Sequence, residues 1–290
     1  MIGRSFSSKL ADVFNYTSLA IISLVMIYPF WNVFVGSLSQ PHLVQQGMLM
    51  FVPQGFSLAA YVTIFNTDNF VKVFGNTVFI TVAGTALSMI LTVTLSYTLS
   101  KKRVVGSTTT LFLVFFTMLF QGGIIPTYLV VKSVGLIDSL WALMLPNAIS
   151  AFNVLLMVTF FRSVSTEIEE SGQIDGCNDI GILFRLIIPT ALPILATLTL
   201  FYAVSQWNMF MQAVLYVNDT SKYTLQVLLR QMLFQMTNRD LDETLRENIP
   251  NIAVTVKFSM IIVATVPILL VYPFLQKYFT KGALLGSVKG

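Results

Sequence analysis

The 290-residue chain has one cysteine, one histidine and a charged fraction of only 10%. Each scarcity closes a class of function. Cys177 alone forms no internal disulfide or cysteine metal cluster, and His42 alone builds no histidine metal site. No Gly-Lys dipeptide occurs, so the phosphate-cradling loop G-x-x-x-x-G-K-[ST] is missing and any ATP must be hydrolysed on another chain. Asp, Glu, Lys and Arg stay out of the depths of the long apolar runs. That argues against ion-coupled transport and proton pumping, which need an ionisable group inside the membrane. The runs also hold no serine-histidine or paired-carboxylate arrangement, so intramembrane hydrolysis lacks a nucleophile system.

What is abundant is apolar. Hydrophobic residues make up 55% of the chain, whereas ordinary soluble domains have about 45–50%, with about 25% charged. Such a chain cannot cover a water-facing surface, so it reads as one all-α integral-membrane unit. The net charge of +4 is accounted for by basic cytoplasmic loops, and no nucleic-acid partner is expected.

Six runs are long enough to cross a bilayer: 13–38, 73–100, 104–131, 139–161, 186–217 and a last span over about 252–276 whose charge-free part is Phe258 to Gln276. Each should be helical, because backbone in lipid must satisfy its own hydrogen bonds and the alternation of a membrane barrel is missing. Arg4 and Lys9 precede the first run, which is too long for a secretory signal and reads as a retained span. Basic residues collect before span one, in Lys101-Lys102-Arg103, at Arg162 and Arg185, and after span six. That alternation places both termini in the cytoplasm. In the long fifth connection, Leu225, Leu228, Leu229, Met232, Leu233 and Met236 share one face of a helix over about 224–238, with Gln226, Arg230, Gln231 and Gln235 elsewhere. This external amphipathic helix either packs on the ends of the spans or docks a partner.

The cytoplasmic loop 162–185 is unexpectedly acidic. Ser165-Thr166 followed by Glu169 reads as a helix N-terminus, and Asp175-Gly176 as its stop. A short helix joined by a glycine turn to a span beginning near Pro189 could be a lever for a soluble partner, or simply a capped, solvated loop.

Glu170-Ser171-Gly172-Gln173-Ile174-Asp175-Gly176-Cys177, followed by Phe184-Arg185-Leu186-Ile187-Ile188-Pro189, resembles the Glu-Ala-Ala…Asp-Gly-Ala signature of binding-protein-dependent ABC importer permeases. Ser171, Gly172 and Cys177 stand where the common pattern has alanine, and all three are small. Gly122-Gly123, Pro126 and Tyr128, then Gly135-Leu136, Asp138 and Trp141-Ala142, and the tail 277–290 resemble the carbohydrate branch. Within it, the chain is similar to permeases for aldouronates, alginate or rhamnogalacturonan fragments.

The resemblance implies a six-helix type I ABC importer permease fold in a bacterial cytoplasmic (inner) membrane. It implies as partners a homologous second permease, two cytoplasmic ABC ATPase subunits and an extracytoplasmic sugar-binding protein, with oligosaccharide as cargo. No cofactor is expected on this chain, since ATP and Mg belong to the ATPase, and no enzymatic activity is expected of it. The loop would be the coupling helix, with Glu169, Glu170, Ser171, Gly172, Asp175, Gly176, Cys177 and Phe184 as coupling candidates. Gly286, Lys289 and Gly290 of the tail would be a second ATPase contact.

Sugars are held by hydrogen bonds and aromatic faces. Ser205, Asn208 and Gln212 recur at helical spacing beside Gln206 and Trp207, and Asn147, Ser150 and Asn153 recur every three residues. With Tyr128 these are the substrate-path candidates, the alternative being polar contacts between helices. A permease for a non-sugar substrate and a non-transporting scaffold subunit remain the other readings.

Overall fold

The computed structural model describes residues 6–44, 51–241 and 253–287, and the described residues are helical with no strand. The principal helices are α1 (Phe6–Ser37), α2 (Phe70–Ser100), α3 (Ser107–Leu119), α4 (Ile124–Ser133), α5 (Ala151–Ser163), α6 (Thr166–Ile174), α7 (Asp179–Thr190), α8 (Leu192–Trp207), α9 (Leu225–Leu241) and α10 (Ala253–Ser287). Three stretches among the described residues are single helices long and apolar enough to span a membrane: Asp12–Ser37, Phe70–Ser100 and Val254–Phe274. Three further helix pairs reach that length only if each bent pair is one crossing.

The bends have local causes. The run 104–131 is not one helix: α3 and α4 meet at 118°, across a break where Gly123 adopts φ +89°. Its 13 residues leave α3 about 20 Å long, short of a hydrocarbon core of about 30 Å. In the run 139–161, a short turn at Trp141–Met144 is followed by non-helical residues before α5 begins. α7 and α8 meet at 87°. Pro189 has no N–H for the Arg185 carbonyl, so the chain widens into a π-turn over Leu183–Ile187, and Pro193 removes a second donor just past the corner at Ala191. α8 ends at Trp207, and Met211–Tyr216 forms a separate turn of helix.

The chain divides into two compact units, residues 1–68 with 229–266, and residues 69–228 with 267–290. In the first, Gly36 of α1 lies where a Cβ would come within 2.5 Å of the Phe258 ring, and the Ser259 hydroxyl donates to the Ser37 carbonyl at 3.3 Å. Further along α1, large apolar side chains from Leu10 to Phe34 stand exposed, a surface suited to lipid and not to water.

The second unit is organised around α2. Thr77, Thr85, Ser88, Thr92 and Ser96 form a buried stripe of small residues, which lets α5 and α8 approach its backbone. Tyr202 of α8 shares a 2.6 Å hydrogen bond with Thr92, and its oxygen also accepts from the Ser150 N–H at 3.1 Å. Along α9, whose first four residues belong to this unit and the rest to the first, Leu225, Leu228, Leu229 and Met232 are buried, Leu233 and Gln226 are half-buried, and Arg230, Gln231 and Gln235 are exposed. The Met236 side chain lies outside the described residues. Thr77 fixes the start of α9 by accepting from the Leu225 N–H at 2.7 Å.

Candidate functional site

The acidic stretch folds from its own caps. Ser165 accepts from the Glu167 N–H at 3.3 Å, and Glu167 and Glu169 sit in the first turn of α6, where carboxylates meet the positive end of the helix dipole. Asp175 closes the helix and Gly176 turns left-handed, at φ +78°. The Cys177 N–H donates to the Gly172 carbonyl at 2.9 Å and the Gly176 N–H to the Gln173 carbonyl at 3.0 Å, the paired bonds of a Schellman stop. Asn178 then caps α7 by accepting from the Gly181 N–H at 2.8 Å. The result is a rigid helix-turn-helix leading into the Pro189 corner.

Exposure sorts the coupling candidates. Glu170, Ser171, Asp175, Gly176 and Phe184 face outward. Gly172 is buried, and a Cβ there would lie 2.7 Å from Leu186 Cδ1 and 3.1 Å from Ile182 Cγ1, so bare α6 backbone presses on α7. Cys177 is a half-buried free thiol packed on the cluster of Tyr97, Phe161, Ile182 and Leu183. Sequence reasoning missed Ile174 and Ile180, which are 86% and 68% exposed on either side of Gly176. Isoleucines flanking the polar turn 175–179 were the available signal.

Glu169 turns toward its own chain. It pairs with Lys101, the two side chains being 18% and 11% exposed, and the Lys101 ammonium also lies 4.2 Å from the centre of the Tyr97 ring. Arg103 pairs with Asp179, and Arg162 Nη2 donates to the Leu99 carbonyl at 3.4 Å. Burial, reinforced by Arg103, pushes the Lys101 ammonium down to about 8, with Asp179 opposing. Two of the acids that look out of place in the sequence, Glu169 and Asp179, pair with Lys101 and Arg103, residues whose charge in the sequence marks only orientation.

The polar candidates do not form one stripe. Asn147 is exposed in the break before α5, Ser150 is the N-cap of that helix, accepting from the Asn153 N–H at 3.4 Å, and Asn153 is buried. Their spacing of three is a capping arrangement and not a helix face, because Ser150 uses its side chain to start the helix. Ser205 and Asn208 lie exposed at the end of α8, while Gln212 is half-buried in the next helical turn. Asn208 Nδ2 donates to the Val204 carbonyl at 2.9 Å, and its Oδ1 accepts from Gln226 Nε2 at 3.5 Å, which adds a residue of α9 to the group. Gln206 is buried against Gly84, with no hydrogen-bond partner for its Oε1 among the described residues. Trp207 is buried edge-on to Phe74 and lines an apolar groove with Val78, Val82 and Leu200. Tyr128 stacks on Tyr216, with ring centroids 6.3 Å apart.

The model of the family described as binding-protein-dependent transport system inner membrane component matches residues 103–284, well over half of the chain. The chain belongs to this family. The permease is similar to the polygalacturonan/rhamnogalacturonan transport system permease protein YtcP of Bacillus subtilis (strain 168), with 47% identity covering 98% of this chain and 99% of that protein. Protein LplC of the same organism is 45% identical, over 98% and 96% of the two chains. Among solved structures, a chain of a bacterial ABC transporter involved in the import of the acidic polysaccharide alginate superposes with a TM-score of 0.85 at 34% identity, covering 96% of this permease and 100% of that chain. A chain from the bacterial alginate ABC transporter in complex with an alginate pentasaccharide-bound periplasmic protein shares the fold, at TM-score 0.50 and 14% identity.

Two further segments of the permease carry sequence-predicted features. Gly135-Leu136-Ile137-Asp138 forms a tight turn in which Gly135 and Asp138 adopt φ of +71° and +62°. The Asp138 carboxylate accepts from the Asn218 and Asp219 N–H groups at 3.1 and 3.0 Å and from Lys222 at 2.8 Å. The Lys222 hydrogen bond, then the backbone bond from Asp219, hold that carboxyl down at about 2, and the same partnership raises the Lys222 ammonium. In the tail, Gly286 falls within the backbone of α10, while Lys289 and Gly290 lie outside the described residues.

Proposed function

We propose that this permease is the membrane-spanning subunit of an ATP-driven importer for oligosaccharides derived from acidic polysaccharides. The observation that carries the proposal is full-length likeness to two importer chains of uronate polymers, the polygalacturonan/rhamnogalacturonan permease at 47% identity and the alginate transporter chain at 34%. In this reading the chain resides in a bacterial cytoplasmic membrane, pairs with a homologous permease and rests on two ATPase subunits. An extracytoplasmic binding protein delivers the sugar, ATP is hydrolysed with Mg on the ATPases, and this chain performs no covalent chemistry.

Six crossings are read from the six apolar runs of the sequence, with α6 outside the membrane, and the basic loops favour cytoplasmic termini. The outward-facing Glu170, Ser171, Asp175, Gly176 and Phe184 would seat in the ATPase, with Ile174 and Ile180 as apolar anchors and the tail through Gly286, Lys289 and Gly290 as a second contact. Closure of the ATPases would push α6, the Schellman turn would pass the displacement to α7 without bending, and the Pro189 corner would turn it along α8. The cavity would thereby switch from inward-facing to outward-facing. Ser205 and Asn208, exposed at the end of α8, with the half-buried Gln226, would offer neutral donors for a sugar path.

Reconstitution with the partner permease, ATPases and binding protein tests this reading. Labelled oligogalacturonide should accumulate, and Glu170→Ala or Gly176→Leu should abolish uptake while the ATPases still hydrolyse ATP. Unchanged uptake in both variants would remove the loop from the mechanism. Accumulation of neutral oligosaccharides alone would overturn the substrate class.

A further inference from the structure

We propose that Lys101 is a positioning residue for transport coupling: paired with Glu169, it clamps α6 to the end of α2, so that displacement at α6 enters the body of the permease through α2 as well as through α7. The proposal rests on the coupling role given to α6 above. Lys101 is the first residue after α2, and its ammonium is held by the Tyr97 ring at 4.2 Å and by the Glu169 carboxylate. Tyr97 in turn meets Phe161 of α5 edge-on, with centroids 5.8 Å apart, and both belong to the apolar cluster that includes Ile182, Leu183 and Ile187 of α7. Arg162, near the start of the loop, bonds the Leu99 carbonyl in the last turn of α2, where a cation is also favoured by the helix dipole. The links therefore converge on one end of α2 from α5 and α6, while Arg103–Asp179 adds one from α7.

The two ion pairs differ in weight. Arg103 and Asp179 are 54% and 59% exposed, so water screens them and their contribution is small. Lys101 and Glu169 are sheltered at 11% and 18%, and removing either partner strands a partly buried charge. α2 is also the helix against which α5 and α8 pack. A rigid link from α6 to α2 therefore makes the loop and the helical body move together.

The experiment is a charge-reversal cycle in the assembled complex of both permeases and the ATPases. ATP hydrolysis stimulated by the loaded binding protein and oligosaccharide uptake are measured on the same preparations. Lys101→Glu and Glu169→Lys should each lower uptake per ATP hydrolysed by about tenfold, within the usual span of coupling between sites, and the double variant should recover most of the loss. Lys101→Met, which keeps the apolar stem over Tyr97 but removes the charge, should lie between the parent and the reversals, and Arg103→Glu should have the smallest effect.

An unchanged ratio in the Lys101 variants would overturn the clamp, as would loss of assembled complex without change in that ratio, which marks a purely structural pair. Failure of the double variant to recover would overturn it too. Failure of the parent complex to hold its ATPases or take up sugar would instead count against the importer reading.

Discussion

Lys222 reaches across 84 residues of chain to donate to both the carbonyl and the carboxylate of Asp138, each at 2.8 Å. The Asp138 N–H in turn donates to the Tyr216 carbonyl at 2.7 Å, so one residue in a left-handed turn ties two connections together. This staple depends on charge. A carboxyl held near 2 in the folded chain, against an ordinary value of 3.8, contributes stability that is complete above about 4 and is lost as pH falls toward 2. Detergent-purified permease should therefore lose thermal stability across that interval, and Asp138→Asn, which tolerates the left-handed backbone, should flatten the acid limb of the curve. A variant with the same pH profile as the parent would remove Asp138 from the account.

Gly176 has open space where a Cβ would lie but sits at φ +78°. Gly176→Val should thus cost about 1–2 kcal/mol through backbone strain alone, whereas Gly176→Asn should be tolerated. The ratio of uptake to hydrolysis in the two variants separates strain in the turn from loss of surface contact. Equal behaviour would mean the left-handed conformation is not what the loop requires.

At Gly172 the constraint is space. Gly172→Ala would meet Leu186 Cδ1, the mobile tip of a side chain that can rotate away, while Gly172→Leu would force α6 off α7. The alanine variant is expected to retain uptake and the leucine variant to lose it with the complex still assembled. Retained uptake in the leucine variant would show that close contact of α6 with α7 is dispensable.

Tyr202→Phe removes one hydroxyl and leaves two polar groups without their partner, the buried Thr92 hydroxyl and the Ser150 N–H. A loss of about 1–3 kcal/mol is expected, read as a lowered unfolding midpoint with little change in substrate selectivity. Tyr202→Phe with Thr92→Val should be milder than the single change, since the stranded hydroxyl is gone.

Asn208→Ala and Gln226→Ala should raise the sugar concentration needed for half-maximal uptake, because the exposed Asn208 at the end of α8 and the half-buried Gln226 of α9 form one hydrogen-bonded polar pair. Gln206→Leu should act on stability instead, since that amide is buried against Gly84. A substrate effect from Gln206 without one from Asn208 would relocate the path to the interior of the α2–α8 contact.

The residues alone determined what local physics controls. Scarce charge and long apolar runs set the helical membrane class, because lipid leaves the backbone no other way to satisfy its hydrogen bonds. The cap at Ser165, the stop at Gly176 and the buried face of α9 were legible too, since each depends on neighbours within one or two helical turns. Only the tertiary structure decided the rest. Asn147, Ser150 and Asn153 shared a spacing but not a face, and Asn208 acquired Gln226 from α9. Glu169 found Lys101 across 68 residues. Such pairings follow from where helices bend and which backbones approach closely, and no periodicity within a single helix specifies either.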